Sequence, residues 1–322
     1  MMRENYAVPR VSVIIPAHNA APYLEETLAS VRAQTHDEWE IVVCDDGSSD
    51  GTWEILSADD RVRAVRNERP GGPAVARNRA LELATGEFAM FLDADDLILP
   101  RYLESQLAAY ERASHLPGAP VGLVACDAKF LIDGEYAPYT YLDLLPDRNA
   151  PITLERLLRR NMVYGACLVP MTVGAAVGWF DPELFGTEDY GLWIKILEHG
   201  YRGVRNEEPL AVYRRIAGSV SSNIASQGVN NRKAYELALR RGNLTRKQAR
   251  IARGGLRYNR AMEEVALARF SDGNALQAAS RLPRLLPLLA WVAVTNVQMW
   301  PEWARLLRTG RAPDAARLRA RP

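Results

Sequence analysis

Three aspartates stand within four positions of the chain and directly follow an apolar run. The run covers residues 88–92, and Asp93, Asp95 and Asp96 come after it. Like charges held this close repel one another and raise each other's pKa unless a cation lies among them. Carboxylate oxygens in this number suit Mg²⁺ or Mn²⁺, above all when substrate phosphates complete the coordination. The pattern predicts a divalent metal site, with a polar loop whose Asp96 caps the next helix as the alternative.

A second pair of acids, Asp45 and Asp46, ends another apolar run and is followed by Gly47 and Ser48. An ionised aspartate only accepts hydrogen bonds, so a carboxylate here could receive them from a nucleobase or a ribose. A turn held by its own Asx hydrogen bonds explains the same residues equally well. Both interpretations stay open at the level of the sequence.

Strand and helix patterns alternate through the first 110 residues and would position these acids. Strands are predicted over residues 11–16, 40–44, 62–66 and 88–92, and helices over 21–34, 52–56 and 74–83. Such alternation is typical of an α/β fold with a largely parallel sheet and helices on both faces. Ligands collect at the carboxyl ends of the strands in these sheets. Three polar ends, at residues 16–19, 45–48 and 93–96, are therefore expected to build one site.

Composition and cysteine usage narrow the class of protein. The chain has 322 residues and is 48% apolar, enough for a large core. Its three cysteines, Cys44, Cys126 and Cys167, are too scattered for a disulfide framework or a zinc motif, which favours a reducing, cytosolic setting. The polar first ten residues do not resemble a signal peptide. The apolar segment 285–300 is shorter than the roughly 20 residues of a membrane span.

Charge is distributed unevenly along the chain. Residues 240–322 contain 17 Lys or Arg against 5 Asp or Glu, whereas the first 239 contain 23 against 34. Helices are predicted over 153–160 and 186–200, and over 230–280 with one break at 271–274. Within the last of these, one face carries Arg246, Arg250, Arg253, Arg257 and Arg260. This face is either solvated or attracted to anionic lipid headgroups, with residues 285–300 and Trp303 in the interface. No interleaved stacking motif suggests nucleic acid.

Three segments in order resemble a family 2 glycosyltransferase of the GT-A fold. They are VSVIIPAHNAAPYLEETLASVRAQTHDEWEIVVCDDGSSDGT, GPAVARNRALELATGEFAMFLDADD and FGTEDYGLWIKI. The resemblance implies a catalytic domain over residues 1–228 with a Rossmann-like, mixed and mostly parallel sheet flanked by helices. Residues 229–322 are predicted to form a basic, mostly helical region that either packs on the catalytic domain or associates with a membrane. The resemblance also implies metal-dependent, inverting transfer of a sugar from a nucleotide diphosphate to an acceptor hydroxyl, with Mn²⁺ or Mg²⁺ as the cofactor.

The resemblance also assigns roles around the donor. The residues that it gives to the donor nucleotide are Pro16, Ala17, His18, Asn19, Asp46, Arg77 and Asp93. His18 occupies a position that is often held by a tyrosine that stacks on uracil. Asp46 matches the residue that recognises the edge of the pyrimidine base. Arg77 would support either the loop that contains Asp93, Ala94 and Asp95, called the DxD loop below, or the phosphates of the donor. Asp95 matches the direct metal ligand, and Asp93 would face the ribose, or the metal through water.

The general base of the reaction is expected on the side of the site where the acceptor binds. Inversion is one in-line displacement and needs one positioned general base, which the resemblance places at Asp189, with Glu188 binding acceptor or orienting the loop. Both acids could instead stabilise a helix N-terminus. Trp193, one turn further, either packs in the core or walls the acceptor site. Because Ile216 stands where the family often has His, Arg214 and Arg215 are predicted to bind the diphosphate.

The resemblance thus implies an enzyme that uses a nucleotide-sugar donor, with a UDP-sugar favoured by its frequency in the family, and a glycan or lipid-linked acceptor. Its expected place is the cytoplasm or the inner face of the membrane, in surface polysaccharide or cell-envelope synthesis. Two alternatives stay open. A non-catalytic nucleotide-sugar or glycan binder would keep the fold, and a sugar nucleotidyltransferase would need a Gly-rich, basic loop after the first strand, which AHNAAPY lacks. The acceptor pocket is expected within residues 130–170.

Overall fold

A computed structural model describes residues 10–216 and 224–270 of the protein. The strands are β1 (Val11–Ala17), β2 (Trp39–Asp45), β3 (Val62–Arg66), β4 (Phe88–Phe91), β5 (Leu97–Ile98), β6 (Val121–Ile132), β7 (Glu135–Thr140), β8 (Cys167–Pro170) and β9 (Arg202–Arg215). The helices are α1 (Ala21–Arg32), α2 (Thr52–Ser57), α3 (Pro73–Leu81), α4 (Tyr102–Ser114), α5 (Leu154–Leu157), α6 (Met171–Val177), α7 (Glu188–Glu198), α8 (Ile224–Arg241) and α9 (Arg246–Phe270). A short 3-10 helix covers Leu142–Leu144.

The strands form one mixed sheet in the order β3-β2-β1-β4-β8-β6-β9-β5, with β7 paired to β6. The half that contains β1, β2, β3 and β4 is parallel, and β8 joins β4 in the antiparallel direction. In the other half β6 and β9 are again parallel. The strands predicted in the first 92 residues are confirmed, and so is the α/β fold class.

The sheet is covered on both faces, which explains the unbroken apolar runs of its strands. Successive side chains of a strand point to opposite faces. In β1, Ile14 belongs to the core shared with α3 and α7, whereas Val13 and Ile15 belong to the core shared with α1 and α4. Helices therefore close both faces, and the carboxyl edge of the parallel strands carries the polar residues.

Two helix predictions need correction. The helix predicted over 153–160 is limited to α5, where the Thr153 hydroxyl caps the first turn by accepting a hydrogen bond from the backbone N–H of Arg156. The helix predicted from residue 230 onward is interrupted at Gly242, whose φ of 77° lies in the left-handed region that ends helices. α8 ends just before this glycine and α9 starts after it. The break predicted at 271–274 lies outside the described residues.

α8 and α9 pack on the α/β core through α7. The hydroxyls of Tyr190 in α7 and Tyr235 in α8 share a hydrogen bond of 3.1 Å, and both side chains are buried. Gly255 of α9 lies against Tyr235, because a Cβ at this position would come within 2.5 Å of the ring. Arg241 Nε pairs with Glu198 at 2.7 Å. α8 is therefore tied to both ends of α7.

Only part of the C-terminal region lies within the described residues, so only some of its predictions can be compared with the structure. No described helix combines the length and apolarity needed to cross a membrane. Residues 285–300 and Trp303, which were predicted to enter a membrane interface, lie outside the described residues. The division of the chain at residue 228 falls within α8, and it stays a prediction.

Candidate active site

The ends of β1 and β2 are joined by hydrogen bonds at one edge of the sheet. His18 Nδ1 lies 2.8 Å from the backbone oxygen of Asp46, and the backbone N–H of Asn19 donates to Ser48 Oγ at 2.9 Å. Asn19 has a φ of 50°, which turns the chain sharply out of the strand. The side chains of His18 and Asn19 are exposed there. Of the predicted base-binding residues, β1 thus supplies Pro16 and Ala17, and the turn supplies His18 and Asn19.

Asp46 holds the loop that precedes α3. Its Oδ1 accepts hydrogen bonds from Asn67 Nδ2 at 2.7 Å and from the backbone N–H of Gly71 at 2.9 Å. Its Oδ2 accepts from the backbone N–H of Gly72 at 2.7 Å. The residue is only 3% exposed. The carboxylate is thus surrounded by donors from the protein, and its recognition of a pyrimidine stays a prediction.

Asp45 is wholly buried beside it. Its Oδ1 accepts a hydrogen bond from the backbone N–H of Ser48 at 3.1 Å, the Asx pattern of a self-supported turn. Arg66 Nε lies 2.9 Å from its Oδ2. For Asp45, the turn interpretation is the one that the structure supports.

Asp96 is the innermost acid of the DxD loop. It is 3% exposed, and its Oδ1 accepts a hydrogen bond from the backbone N–H of Arg214 at 2.8 Å. Its Oδ2 accepts one from the hydroxyl of Tyr164. Thr27 Oγ1 donates to the backbone oxygens of Ala94 and Asp96, both at 2.9 Å. Asp96 therefore anchors the loop, as its predicted orienting role requires.

The acids of this loop fit a divalent cation. Asp93, Asp95 and Asp96 each offer an oxygen, and these oxygens lie within 4.8 Å of one another. Burial and the neighbouring Asp93 carboxylate raise the pKa of Asp95 to about 6, although its backbone N–H and Arg214 oppose the rise. A cation would offset both the burial and the Asp93 repulsion, because it stabilises the charged form of Asp95. Hard carboxylate oxygens are the ligands that Mg²⁺ and Mn²⁺ prefer.

Arg77 of α3 joins the DxD loop to the start of α7. Its Nη2 lies 2.5 Å from Asp93 Oδ1, and its Nη1 lies 2.5 Å from Glu188 Oε1. Burial lowers the pKa of Arg77, but the carboxylates of Asp93 and Glu188 outweigh it and raise this pKa above its ordinary value. The guanidinium is therefore permanently charged. It holds the predicted metal side and the predicted base side together.

Asp189 lies half-buried in the first turn of α7, one residue after Glu188. Burial and the Glu188 charge raise the pKa of Asp189 to about 7, although Arg77 opposes the rise. The backbone N–H of Tyr190, which donates to Asp189 Oδ1 at 2.6 Å, also opposes it. A carboxylate that titrates near neutral pH is suited to general-base catalysis. Both acids also begin a helix, so the structural alternative holds at the same time.

Arg214 supports the DxD loop from the β9 side. Its Nε donates to the backbone oxygen of Asp95 at 2.8 Å, and its Nη2 pairs with Glu26 at 2.7 Å. Its guanidinium carbon also lies 5.3 Å from the centre of the Tyr23 ring. Arg215 is exposed beside Tyr213. Contact of either arginine with a diphosphate stays a prediction.

Trp193 does not reach the site. Its side chain is wholly buried and packs at a tilt on Phe91, with ring centres 6.3 Å apart. Of the two interpretations of Trp193, the structure therefore supports packing in the core and not a contact with the acceptor site. α7 turns this face towards the apolar core behind β4, and core packing is its role.

Sequence reasoning missed an aromatic cluster on the acceptor side. Tyr164 lies between Tyr141 and Tyr213, with ring centres 5.7 Å and 5.5 Å away. Burial raises the pKa of Tyr141, and the charge of Asp189 raises it further. Tyr141 and Tyr164 stand within the segment 130–170 expected to shape the acceptor pocket. The tyrosine-rich stretch 136–141 was the available signal.

Sequence comparisons identify relatives of known class. The model of the family described as glycosyl transferase family 2 matches residues 12–120. TuaG of Bacillus subtilis, a glycosyltransferase named for teichuronic acid biosynthesis, is 36% identical over 67% of this chain and 82% of its own. WfgD of Escherichia coli, a UDP-Glc:alpha-D-GlcNAc-diphosphoundecaprenol beta-1,3-glucosyltransferase, is 31% identical over 66% of this chain and 80% of its own.

Two solved structures share the fold. TarS 1–349 of S. aureus, in complex with UDP-GlcNAc, has a TM-score of 0.62 and 22% identity, over 87% of this chain and 79% of that chain. Mannosyltransferase PcManGT of Pyrobaculum calidifontis, in complex with GDP-Man and Mn²⁺, has a TM-score of 0.59 and 23% identity, over 89% and 81%. At these identities the likeness concerns the fold alone. The chain belongs to glycosyltransferase family 2 and is a glycosyltransferase of the GT-A fold.

Proposed function

We propose that the protein transfers a sugar, with inversion, from a UDP-sugar to a hydroxyl of a glycan or lipid-linked acceptor in cell-envelope polysaccharide synthesis. One observation carries the proposal. Arg77 binds Asp93 of the DxD loop and Glu188 beside Asp189 at the same time, which brings the proposed phosphate side and the proposed base side together. Such an arrangement suits a single displacement in which leaving group and incoming hydroxyl lie on opposite sides of one carbon.

The choice of donor rests on the edge formed by β1 and β2. His18 and Asn19 are exposed there, next to the loop that Asp46 fixes, and could contact a base. WfgD is named for UDP-Glc, and the TarS structure contains UDP-GlcNAc. Both names favour UDP as the nucleotide of this chain.

The DxD acids are proposed to hold Mn²⁺ or Mg²⁺ together with the donor diphosphate. Asp95 would be the direct ligand and Asp93 a ligand through water or a contact of the ribose, with Asp96 fixing the loop. Bound there, the ion supplies Lewis-acid stabilisation of the charge that grows on the leaving diphosphate. The Mn²⁺ in the PcManGT structure supports this choice of metal.

The transfer step balances without a further reactant. The acceptor oxygen forms a bond to the anomeric carbon while the bond from that carbon to the diphosphate oxygen breaks. The diphosphate departs with the electron pair of the broken bond. The acceptor hydroxyl gives its proton to the Asp189 carboxylate, whose pKa of about 7 suits it to accept one. Glu188, held by Arg77, would orient the acceptor or the loop.

The acceptor and the place of reaction follow from the named relatives. WfgD acts on a diphosphoundecaprenol-linked sugar, and TuaG is named for an envelope polymer. An acceptor of the same lipid-linked class would place this enzyme at the inner face of the membrane. Tyr141, which is half-buried and whose pKa the charge of Asp189 raises, offers an aromatic ring for contact with an acceptor sugar.

Calorimetric titration of UDP, GDP and dTDP, each with and without Mn²⁺, tests the proposal. We expect UDP to bind only with the metal, and Asp95→Ala to abolish this binding. Asp37→Ala, which removes an exposed acid elsewhere, is the control and should bind as the wild type does. Failure of all three nucleotides in both conditions would contradict the assignment of the DxD loop. Binding without any turnover of UDP-sugars would favour a non-catalytic binder.

A further inference from the structure

One face of α9 is lined with arginines. Arg246, Arg250, Arg253, Arg257 and Arg260 follow one another at intervals of four and three residues and are all exposed. This spacing keeps side chains on one side of a helix. At a rise of about 1.5 Å per residue, the row extends over about 21 Å. We call these five residues the arginine face.

The packing of α9 fixes the direction of this face. Ala252 is fully buried, and Asn259 is 6% exposed. Gly255 lies against the Tyr235 ring of α8, and the side chain of Asn259 donates to the Gly255 backbone oxygen at 2.9 Å. These residues lie on another side of α9 than the arginine face. Arg246, Arg250 and Arg253 therefore lie on the side of α9 opposite its contact with α8, and rotation of α9 would break that contact.

Three residues of the arginine face, Arg246, Arg250 and Arg253, lack the acidic partners that neighbouring basic residues have, whereas Arg260 pairs with Glu236 of α8 at 3.6 Å. Lys247 pairs with Glu155 at 2.7 Å, and Arg240 with Glu183 at 3.0 Å. By contrast, no carboxylate of the described residues lies within ion-pair distance of Arg246, Arg250 or Arg253. A shallow cavity on this face is lined by Leu244, Arg246, Ala249, Arg250, Arg253 and Arg257. Several guanidinium groups at one cavity form a site for an anion.

We propose that the arginine face binds the phosphate headgroups of an anionic membrane surface. Guanidinium groups match phosphate oxygens in bidentate geometry. A flat array of phosphates can contact all the arginines of the row at the same time. A single soluble anion is too small to contact the whole row. The chain after α9, residues 271–322, adds 8 basic residues against 3 acidic ones. The partner that matches this charge is therefore a continuous anionic surface.

Charge elsewhere in the chain sets the orientation of this contact. The first 239 residues contain 23 basic and 34 acidic residues, so an anionic surface repels that part. Docking through α9 also restrains the active site, because Tyr235 of α8 contacts both Gly255 of α9 and Tyr190 of α7. Asp189 begins the same helix, α7. The proposed contact would thus hold the base helix at a fixed place relative to the lipid surface.

Vesicle co-sedimentation of the full chain tests this proposal without any donor or acceptor. We expect binding to vesicles that contain phosphatidylglycerol and none to pure phosphatidylcholine vesicles. The triple variant Arg246→Gln/Arg250→Gln/Arg253→Gln should weaken binding on the order of 100-fold. The control, Arg61→Gln/Arg101→Gln/Arg112→Gln, removes the same charge from exposed arginines of the α/β core and should bind as the wild type does. Circular dichroism checks that both variants fold.

Three results would overturn the proposal. The first is unchanged vesicle binding of the α9 variant, and the second is an equal loss in the control variant. The third is preference for another anion, measured with inorganic phosphate and with duplex DNA as competitors of vesicle binding. Because no sugar transfer is measured, these outcomes are independent of the proposed reaction. A failed nucleotide titration together with intact vesicle binding would reject the reaction alone.

Discussion

The carboxylates at the ends of two nearby strands meet opposite surroundings. At the end of β2, Asp46 is buried and accepts hydrogen bonds from one side-chain amide and two backbone N–H groups. After β4, Asp95 is half-buried beside Asp93 and Asp96, and burial together with Asp93 raises its pKa to about 6. The residue type and the edge of the sheet are the same for both aspartates. They differ in their burial and in the groups that surround the carboxylate.

This difference separates two groups of acids. Those of the first group stabilise the fold, whereas those of the second group destabilise it unless a cation or a proton binds. A carboxylate that accepts several N–H bonds is stable in its charged form and fixes the backbone around it. A carboxylate crowded by other acids destabilises the folded protein until positive charge or a proton arrives. Asp189 belongs to the second group, because burial and Glu188 raise its pKa to about 7. Such local cost is common where an active site needs reactive groups.

The largest expected effect is on turnover in Asp189→Asn. An amide cannot take the proton of the acceptor hydroxyl, so we expect kcat to fall about 10³-fold, within the usual range for general-base catalysis. UDP affinity in the presence of Mn²⁺ should stay within about twofold, because α7 does not supply the proposed metal ligands. Glu183→Gln, which removes an exposed acid near α7, is the control. Turnover above a tenth of the wild-type rate would exclude Asp189 as the base.

The next largest effect is expected on stability in Asp46→Ala. The change leaves Asn67 Nδ2 and the N–H groups of Gly71 and Gly72 without their acceptor. We expect the free energy of unfolding to fall by at least about 3 kcal/mol, since hydrogen bonds to a charged group contribute about 1.5–3 kcal/mol each and three are lost. Urea denaturation measures it, with Asp60→Ala, an exposed acid before β3, as the control. A loss below about 1 kcal/mol would remove Asp46 from the stabilising group.

Stability should change in the opposite direction in Asp189→Asn. The pKa of Asp189 is about 7 in the folded protein and about 3.9 in an unfolded chain. The folded state therefore binds more protons, and the ionised group destabilises it at pH values above both. At pH 8 we expect the variant to be more stable by about 2 kcal/mol, less than the full shift implies because water reaches the half-buried carboxyl.

This gain should shrink between pH 7 and pH 4 and vanish below about pH 4, where Asp189 is protonated in both states. Thermal unfolding at several pH values gives the profile. A constant difference across the range would mean that the amide gains from packing, not from removal of a charge. Equal stability at pH 8 would contradict the grouping of Asp189 with Asp95.

The parts of this site that the sequence predicts are those built from local pattern. β1, β2 and β4 are unbroken apolar runs, and the polar residues that follow them share one edge because parallel strands end together. The partners of these acids come from distant segments. Arg77 and Glu188 are 111 residues apart, and Tyr164 and Asp96 are 68 apart. Periodicity carries no information about such pairs.

Helical spacing also failed to give the orientation of α7. It placed Trp193 one turn after Asp189 and allowed either the site or the core as its surroundings. Packing decides this, because the ring fills space beside Phe91 that no local pattern reveals. The break at Gly242 was missed for a related reason. The sequence on both sides is rich in good helix formers, but residues 242–245, which begin with the left-handed backbone of Gly242, separate α8 from α9.

The smallest effect is expected in Tyr164→Phe, which tests whether Asp96 belongs with Asp46 or with Asp95. The change removes one hydroxyl donor from a buried carboxylate and keeps the ring that lies between Tyr141 and Tyr213. We expect a loss of about 1 kcal/mol in the free energy of unfolding.

A few-fold weaker affinity for Mn²⁺ with UDP should accompany this loss, because the loop that Asp96 anchors also carries Asp95. Tyr139→Phe is the matched control, since this ring packs on Phe130 in the same aromatic cluster. If Tyr164→Phe lowers stability and leaves metal affinity untouched, Asp96 stabilises the fold alone, as Asp46 does. If both fall together, Asp96 couples the two groups of acids, and the anchoring of the DxD loop is itself part of the metal site.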